Sequence, residues 1–276
     1  MDTRVTPLRD GIAARALEGV VAAEVFLDPK EMACAVPAAA IRAAPSADAE
    51  QVDQLLFGER FAVLEEEGAF VLGQASRDGY VGYVEAAALA PAGPAPTHRV
   101  SAIRTYAFAE ASIKSRASGP YSLNALVTVE AQDGKLSKAA GAGWITTAHL
   151  TPIGMFEADP TAVAERFLGA PYLWGGRESL GLDCSGLVQQ ALMACGLACP
   201  RDTDMQRALG AEIDAAAFGR GDLVFWKGHV AIGYGEGAIL HANAHHMATA
   251  VEPLAEAMAR IEAAGAGPPI AWRRLL

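Results

Sequence analysis

The sequence has few cysteines, few aromatic residues and no long apolar run. Its 276 residues include four cysteines, which are too sparse for the disulfide framework of a small secreted domain. Aromatic residues make up only 7% of the chain, so aliphatic side chains and alanine must supply most of the core. No stretch approaches the ~18 consecutive apolar residues of a transmembrane helix. These absences argue against a disulfide scaffold and against a membrane-spanning protein.

Basic residues are also scarce. The chain has 22 Lys and Arg against 32 Asp and Glu, and the formal charge of −10 disfavours nucleic acid and anionic membranes as partners. The first 31 residues contain no apolar core of a secretory signal, because Asp10, Glu18 and Glu24 interrupt each candidate run. Together with the cysteine usage, this predicts a soluble protein of the reducing cytoplasm that is not exported.

A short pattern occurs twice in the first half of the chain. GYVEAAALAP begins at Gly82 and GWITTAHLTP begins 61 residues later at Gly143. Strand-like segments broken by Gly and Asp precede each copy, as in β-hairpins. The alternative is a chance recurrence in alanine-rich sequence. We predict two small β-barrels joined by the linker PAGPAPT, with the following boundaries: a partly helical extension over 1–31, a first barrel over 32–91 and a second barrel over 97–152.

After Pro152 the pattern changes to helices and then to strands again. Asp159-Pro160 is typical of an N-cap followed by the first helical residue. The apolar face of this helix and the glycine that ends it are predicted to be Val163, Ala164, Phe167, Leu168 and Gly169. A second helix is predicted over about 184–194, and strands over 222–226, 229–234 and 238–243. Helices followed by antiparallel strands make residues 156–276 an α+β domain.

Cys184 stands where a glycine-rich loop turns into the second predicted helix. A free thiol is only a few per cent thiolate at pH 7, but a helix N-terminus and an adjacent imidazolium can lower its pKa. His229 and His241 are twelve residues apart on strand candidates, so both side chains can lie on one face of the sheet. One histidine would be the base for Cys184, and the other would orient that base. The alternative is a structural cysteine with two unrelated histidines.

The motifs PYLWGG, DCSGLVQ, PRDTDMQ, GDLVFW, GHVAIGY and ILHAN span about 120 residues in this order. The series resembles the NlpC/p60 family of bacterial cysteine peptidases, which cut peptidoglycan stem peptides. The resemblance implies an α+β papain-like catalytic domain preceded by two small all-β SH3-like barrels, and an enzyme without a metal or other cofactor. The barrels and the missing signal resemble the cytoplasmic branch, which hydrolyses γ-D-glutamyl bonds to diaminopimelate or lysine in recycled murein peptides with a free N-terminal L-alanine.

The resemblance also implies catalytic roles for four residues of this chain. Cys184 would be the nucleophile, His229 the general base and His241 the group that orients it. Tyr172 would use its hydroxyl, with the Cys184 backbone N–H, to stabilise the oxyanion. Such preorganised donors commonly lower a barrier by a few kcal/mol.

Six further residues are implied to bind the murein peptide. Asp183 and Ser185 flank the nucleophile and would hold the substrate amine and its neighbouring groups. Trp174 would line the pocket, and Thr203 stands where related enzymes place a small hydroxyl. In the first barrel, the other two candidates are Glu59, which could assist the amine, and Tyr80, which is either cleft-facing or an exposed hairpin tyrosine.

Other functions remain open at this point. An exported hydrolase acting on intact peptidoglycan, a non-catalytic binder of wall fragments and a lipid acyltransferase would all fit parts of the pattern. A degenerate binder would be expected to lose the cysteine or a histidine, whereas all three are present. Cys195 and Cys199 form a C-x3-C pair, but no second pair completes a zinc site, so no metal is predicted.

Overall fold

The computed structural model describes residues 1–275. The chain forms two compact units, Met1–Ile153 and Gly154–Leu276. Among the residues described, no helix has the length and the apolar character needed to span a lipid bilayer.

The first unit begins with a three-stranded sheet of β1 (Leu8–Arg9), β2 (Ile12–Ala14) and β3 (Val25–Leu27). Asp10 and Gly11 connect β1 to β2 with φ angles of 48° and 80°, the left-handed pair of a two-residue hairpin turn. The sequence predicts a partly helical extension here. The structure has a single 3-10 turn before residue 31, because the hairpin takes most of this segment into strands.

Seven antiparallel strands form the first barrel. They are β4 (Lys30–Cys34), β5 (Ala38–Arg42), β6 (Gln51–Leu56), β7 (Arg60–Glu67), β8 (Phe70–Ala75), β9 (Val81–Glu85) and β10 (Leu89–Pro91). The strand order is β10-β4-β7-β8-β9-β5-β6. Alternate residues of these strands point inward, and the core they form includes Ile41, Leu55, Phe61, Val71 and Val84.

The second barrel has eight strands in two sheets. They are β11 (His98–Val100), β12 (Arg104–Phe108), β13 (Ala117–Ser122), β14 (Leu126–Val127), β15 (Val129–Asp133), β16 (Leu136–Ala139), β17 (Gly143–Thr146) and β18 (Leu150–Pro152). The sheet orders are β14-β11-β18 and β13-β12-β17-β16-β15. Phe57 of the first barrel packs edge-on against Tyr121, with ring centroids 5.1 Å apart, so the two barrels share a hydrophobic cluster.

The repeated sequence pattern folds the same way in both barrels. In the first copy, a 3-10 turn at Ala86–Ala88 joins β9 to β10; in the second, a 3-10 turn at Thr147–His149 joins β17 to β18. The two turns and the strands that follow them are offset by the same 61 residues as the motif. Tyr83, which occupies the position of Trp144 in the second copy, is buried.

The second unit contains four helices and a six-stranded sheet. In chain order its elements are α1 (Pro160–Glu165), β19 (Arg177–Glu178), β20 (Gly181–Leu182), α2 (Cys184–Ala194), α3 (Thr203–Gln206), β21 (Ala211–Glu212), β22 (Leu223–Trp226), β23 (His229–Gly235), β24 (Ala238–Asn243), β25 (Ala248–Pro253), α4 (Leu254–Ala263) and β26 (Ala271–Arg274). The antiparallel sheet has the order β21-β26-β22-β23-β24-β25, and α2 packs against β23 and β24. The predicted second helix and the three predicted strands are therefore confirmed, with ends that differ by at most one residue.

Helix α1 begins as predicted but ends earlier. The Asp159 carboxylate accepts from the backbone N–H groups of Thr161 and Ala162 at 2.8 and 3.2 Å, which is N-cap geometry. The prediction that Leu168 lies on the apolar face is wrong, since this side chain is 45% exposed. The last turn has 3-10 hydrogen bonds, including Leu168 N–H to Glu165 O, which rotate Leu168 away from the core.

Candidate active site

Cys184 is the first residue of α2, and Asp183 is its N-cap. The sulfur lies 3.8 Å from the Thr203 hydroxyl oxygen, and the Val230 backbone N–H is near enough to lower the pKa of the thiol. Thr203, the first residue of α3, therefore lies beside the Cys184 sulfur. The start of α2 therefore lies beside the beginning of β23, the strand that carries His229.

Burial decides the charge state of the Cys184 thiol. The residue is only 6% exposed, and desolvation raises the pKa of its thiol to about 11, helped by the negative charge of Asp183. The neighbouring Val230 N–H and Thr203 hydroxyl oppose this shift but do not outweigh it. The helix N-terminus predicts a lowered pKa, and here the cost of removing the thiolate from water is larger than that stabilisation.

The two predicted histidines are in contact. His229 opens β23 and His241 lies on β24, and the His229 Nε2 to His241 Nδ1 distance is 2.8 Å. Desolvation lowers the pKa of His229 to about 4 and that of His241 to about 2; Arg260 adds to both shifts, and His229 adds to the shift of His241. Both imidazoles are therefore neutral near pH 7, and a neutral His229 can accept a proton.

An ion pair that the sequence analysis missed lies behind His241. The Oε1 atom of Glu252, on β25, is 2.7 Å from His241 Nε2, and the Arg260 guanidinium of α4 contacts the same oxygen. Glu252 is the single charged residue in the run ATAVEPL, which is the signal that could have identified it. The contacts order four side chains in a line, from His229 through His241 and Glu252 to Arg260.

One group of side chains has metal-ligand chemistry. Within residues 1–275, donor atoms of His241, His246 and Glu252 lie within 4.8 Å of one another. The Arg260 guanidinium already contacts the Glu252 oxygen that would face a cation. A metal ion there would meet this positive charge, so the group is less suited to a metal than its residue types indicate. The absence of a metal stays a prediction.

Asp183 and Ser185 are both bound to a buried arginine. Arg201 donates to the two carboxylate oxygens of Asp183 at 2.9 and 2.6 Å and to the Ser185 hydroxyl at 2.8 Å. The Asp183 carboxylate also accepts from Gly175 N–H, Gly186 N–H and the Ser185 hydroxyl. Five donors fill a carboxylate that offers about four lone-pair directions. A substrate amine would have to displace one of them, so the geometry assigns Asp183 first to the N-terminus of α2; its contact with substrate stays a prediction.

Arg201 itself was missed by the sequence analysis. It is 1% exposed and stands in the PRDTDMQ motif, where a basic residue directly follows a proline. A buried guanidinium requires an acidic partner elsewhere in the chain, and Asp183 could have been considered for that role.

The other predicted site residues of this unit lie on the loop before α2. Tyr172 is half-buried, and burial together with the nearby Cys184 and Asp183 raises the pKa of its hydroxyl, which therefore stays protonated and able to donate. Its backbone N–H donates to Met247 O at 3.0 Å. Trp174 is 58% exposed, so its ring presents an apolar surface to solvent.

Glu59 and Tyr80 lie in the first unit, and both are buried there. The Glu59 carboxylate accepts from Leu56 N–H at 3.0 Å and pairs with Arg77 Nε at 3.0 Å, contacts that hold the turn between β6 and β7. Tyr80 is 5% exposed, so the interpretation of an exposed hairpin tyrosine is wrong. The contacts of either residue with substrate stay predictions.

Comparison with known proteins identifies the family. Residues 169–264 match the NlpC/P60 family, and residues 41–89 match the bacterial dipeptidyl-peptidase SH3 domain. A gamma-D-glutamyl-L-lysine dipeptidyl-peptidase of Bacillus subtilis (strain 168) is 30% identical over 210 residues, which are 68% of this chain and 71% of that protein. A protein of the same name from Bacillus cereus is 34% identical over 96 residues, 32% of this chain and 29% of that one.

Solved structures confirm the fold class. The crystal structure of an NlpC/P60 family protein from Bacillus cereus has a TM-score of 0.78 at 20% identity, covering 90% of this chain and all of that one. The predicted papain-like domain preceded by SH3-like domains is thus observed. The cysteine and paired histidines lie within the segment that the family match covers. The chain is a member of the NlpC/P60 family of peptidases.

Proposed function

We propose that the protein hydrolyses the γ-D-glutamyl-L-diamino acid bond of peptidoglycan stem peptides that carry a free N-terminal L-alanine. The observation that carries this proposal is the arrangement of Cys184, His229 and His241: the histidine nitrogens are 2.8 Å apart, and the sulfur lies near the backbone of Val230, the neighbour of His229 in β23. The names of the Bacillus relatives support the bond. The diamino acid is diaminopimelate or lysine, and the cleavage assay on the two tripeptides distinguishes them.

The first half of the reaction follows from the neutral states of the Cys184 thiol and the His229 imidazole. His229 takes the proton of Cys184 as the sulfur attacks the γ-carbonyl carbon of D-glutamate. As the first residue of α2, Cys184 has a backbone N–H without an intrahelical partner, and this N–H and the Tyr172 hydroxyl donate to the oxyanion. The carbon–nitrogen bond then breaks, and protonated His229 gives its proton to the leaving amine.

The second half releases the enzyme. Neutral His229 takes a proton from a water molecule, which attacks the thioester carbon. The carbon–sulfur bond breaks, and His229 returns the proton to the sulfur. This regenerates the neutral thiol that burial of Cys184 favours.

The proposed setting is the recycling of murein peptides in the cytoplasm. All four cysteines are free, in agreement with a reducing compartment. The charge of −10 supports a small peptide rather than nucleic acid as the partner. No cofactor is needed for the steps above.

The test is a cleavage assay on matched substrates. Purified protein is incubated with L-Ala-γ-D-Glu-diaminopimelate, its lysine counterpart, the N-acetylated tripeptide and intact peptidoglycan, and release of the diamino acid is followed by mass spectrometry. We expect cleavage of the free tripeptides alone. Equal rates for the acetylated form would remove the requirement for a free amine, and cleavage of intact wall would favour the exported hydrolase.

A Cys184→Ala variant is the control for this assay. Hydrolysis should be abolished, while the melting temperature should stay within a few degrees because only one weakly hydrogen-bonded sulfur is removed. Collapse of the fold would mean that Cys184 is structural. If wild-type protein cleaves none of the four substrates, the proposed function fails.

A further inference from the structure

The Glu252–Arg260 pair lies against the side of His241 that faces away from His229. His241 is fully buried, and Glu252 Oε1 is the acidic atom 2.7 Å from its Nε2. The N–H axis of His241 is tilted from this oxygen, so the contact is an electrostatic attraction and not an aligned hydrogen bond. Its effect is therefore set by charge and distance.

A carboxylate at this distance determines which nitrogen of His241 carries the proton. Two lone pairs facing each other at 2.7 Å repel, whereas an N–H beside a carboxylate oxygen is attracted. Neutral His241 therefore keeps its proton on Nε2 and presents a lone pair at Nδ1. That nitrogen is the one 2.8 Å from His229 Nε2, so His229 must donate from Nε2.

The proton position on His241 also fixes the tautomer of His229, because a neutral imidazole has one N–H proton. With that proton on Nε2, the Nδ1 atom of His229 has the free lone pair. The opposite arrangement places a proton on His229 Nδ1 and leaves no nitrogen of this ring able to accept the Cys184 proton.

Arg260 is the partner that allows the Glu252 carboxylate to lie beside His241 at a buried position. An isolated buried carboxylate would take up a proton, and a neutral acid could donate to His241 and reverse the order. The Arg260 guanidinium contacts the same Glu252 oxygen, so the buried carboxylate has a positively charged partner. The pair joins β25 to α4, eight residues apart along the chain.

We propose that Glu252, held by Arg260, is a positioning residue that fixes the tautomers of His241 and His229. It touches neither substrate nor the reacting atoms and acts through His241. The inference rests on the proposed function, in which His229 is the base for Cys184. The metal interpretation of His241, His246 and Glu252 is the competing one, and it predicts a metal ion in the purified protein.

The experiment combines tautomer measurement with kinetics. Glu252→Leu removes the carboxylate at similar volume, and Glu252→Gln keeps an acceptor oxygen, which Arg260 orients because one oxygen contacts both partners. Glu256→Leu is the matched control, since Glu256 is an exposed acid on α4. The ¹⁵N chemical shifts of the imidazole nitrogens are recorded for each protein, with kcat and KM on the free tripeptide and a melting temperature.

Wild type should show both histidines protonated on Nε2. Glu252→Leu should shift the tautomer ratio about 10- to 100-fold toward Nδ1–H, the range expected for loss of an interaction with a charged group. Its kcat should fall at least tenfold with KM changed less than twofold. Glu252→Gln should retain the tautomers and most of kcat, and Glu256→Leu should match wild type.

Three results would overturn the inference. They are Nδ1–H tautomers in wild type, a Glu252→Leu protein that loses stability but keeps its tautomers and kcat, and a stoichiometric metal ion whose removal changes the ¹⁵N shifts. The ¹⁵N measurement needs no substrate. If no tripeptide is cleaved by any protein, the proposed function fails while the tautomer result still stands.

Discussion

At the scale of single residues, the candidate site combines a neutral thiol with neutral imidazoles. Burial moves the two pKa values apart, to about 11 for Cys184 and about 4 for His229. A thiolate–imidazolium pair would require the opposite order. The Cys184 thiol is therefore uncharged at rest, and in the proposed mechanism its proton moves as the sulfur attacks.

The neutral state of the Cys184 thiol predicts how the rate of its alkylation depends on pH. Because only the thiolate reacts, the rate with iodoacetamide should rise about tenfold per pH unit from pH 6 to 9, without a plateau. Mass spectrometry of the Cys184 peptide gives the rate, and the peptide with the partly exposed Cys195 is the internal reference. A rate that is independent of pH above about pH 5 would show a preformed ion pair instead.

At the scale of elements, the N-terminus of α2 positions Cys184. Asp183 caps the helix, Arg201 binds the cap, and Gly186 lets the first turn approach the preceding loop closely. Two predictions concern this helix end.

Replacing Arg201 should destabilise the protein strongly. Arg201→Met leaves the Asp183 carboxylate buried without its cation, and breaking a buried pair costs about 3–5 kcal/mol in the free energy of unfolding. Urea denaturation measures the change. Arg207→Met, at an exposed position in the same segment, should cost less than about 0.5 kcal/mol. A small effect at Arg201 would mean that Asp183 is available for a substrate amine.

Gly186 should tolerate no side chain. A Cβ atom there would lie 2.3 Å from Gly176 O, so Gly186→Ala must displace the loop or the helix. We expect about 1–3 kcal/mol of destabilisation and a loss of hydrolysis, because Cys184 moves with the helix. Thermal unfolding and the tripeptide assay give the two values. Gly93→Ala, which has open space around it, is the control and should be near neutral.

At the scale of the whole molecule, the buried histidines link stability to pH. Their pKa values lie below the ordinary 6.5 in the folded protein, so the unfolded chain binds protons first as the pH falls. Their contribution is fully present above about pH 6.5 and is lost as the pH falls toward 4.

The free energy of unfolding should therefore decrease between pH 6.5 and 4. His229 alone accounts for roughly 3 kcal/mol of this loss, since one pKa unit corresponds to about 1.4 kcal/mol. Denaturant titrations at a series of pH values measure the slope. A His229→Gln variant corrects for the carboxylates and should show a shallower slope; identical slopes would contradict neutral burial of His229.

Much of the fold was predictable from local patterns. The helix over Cys184–Ala194 and the strands that carry His229 and His241 follow from periodicity and turn residues, which act over a few positions. The internal repeat likewise produced equivalent turns in both barrels. Leu168 was placed wrongly because a tightened last turn changes the direction of its side chain, which spacing alone does not show.

The amino-acid sequence by itself determined the family and the order of elements, and it predicted Cys184 as nucleophile with His229 and His241, since these depend on short motifs and their order. Only the tertiary structure showed that Arg201 binds Asp183 and that Glu252 and Arg260 lie behind His241. It also decided that the Cys184 thiol is neutral at rest. The physical reason is that ion pairing and desolvation depend on groups distant in sequence, which only packing of the helices against the sheet brings together.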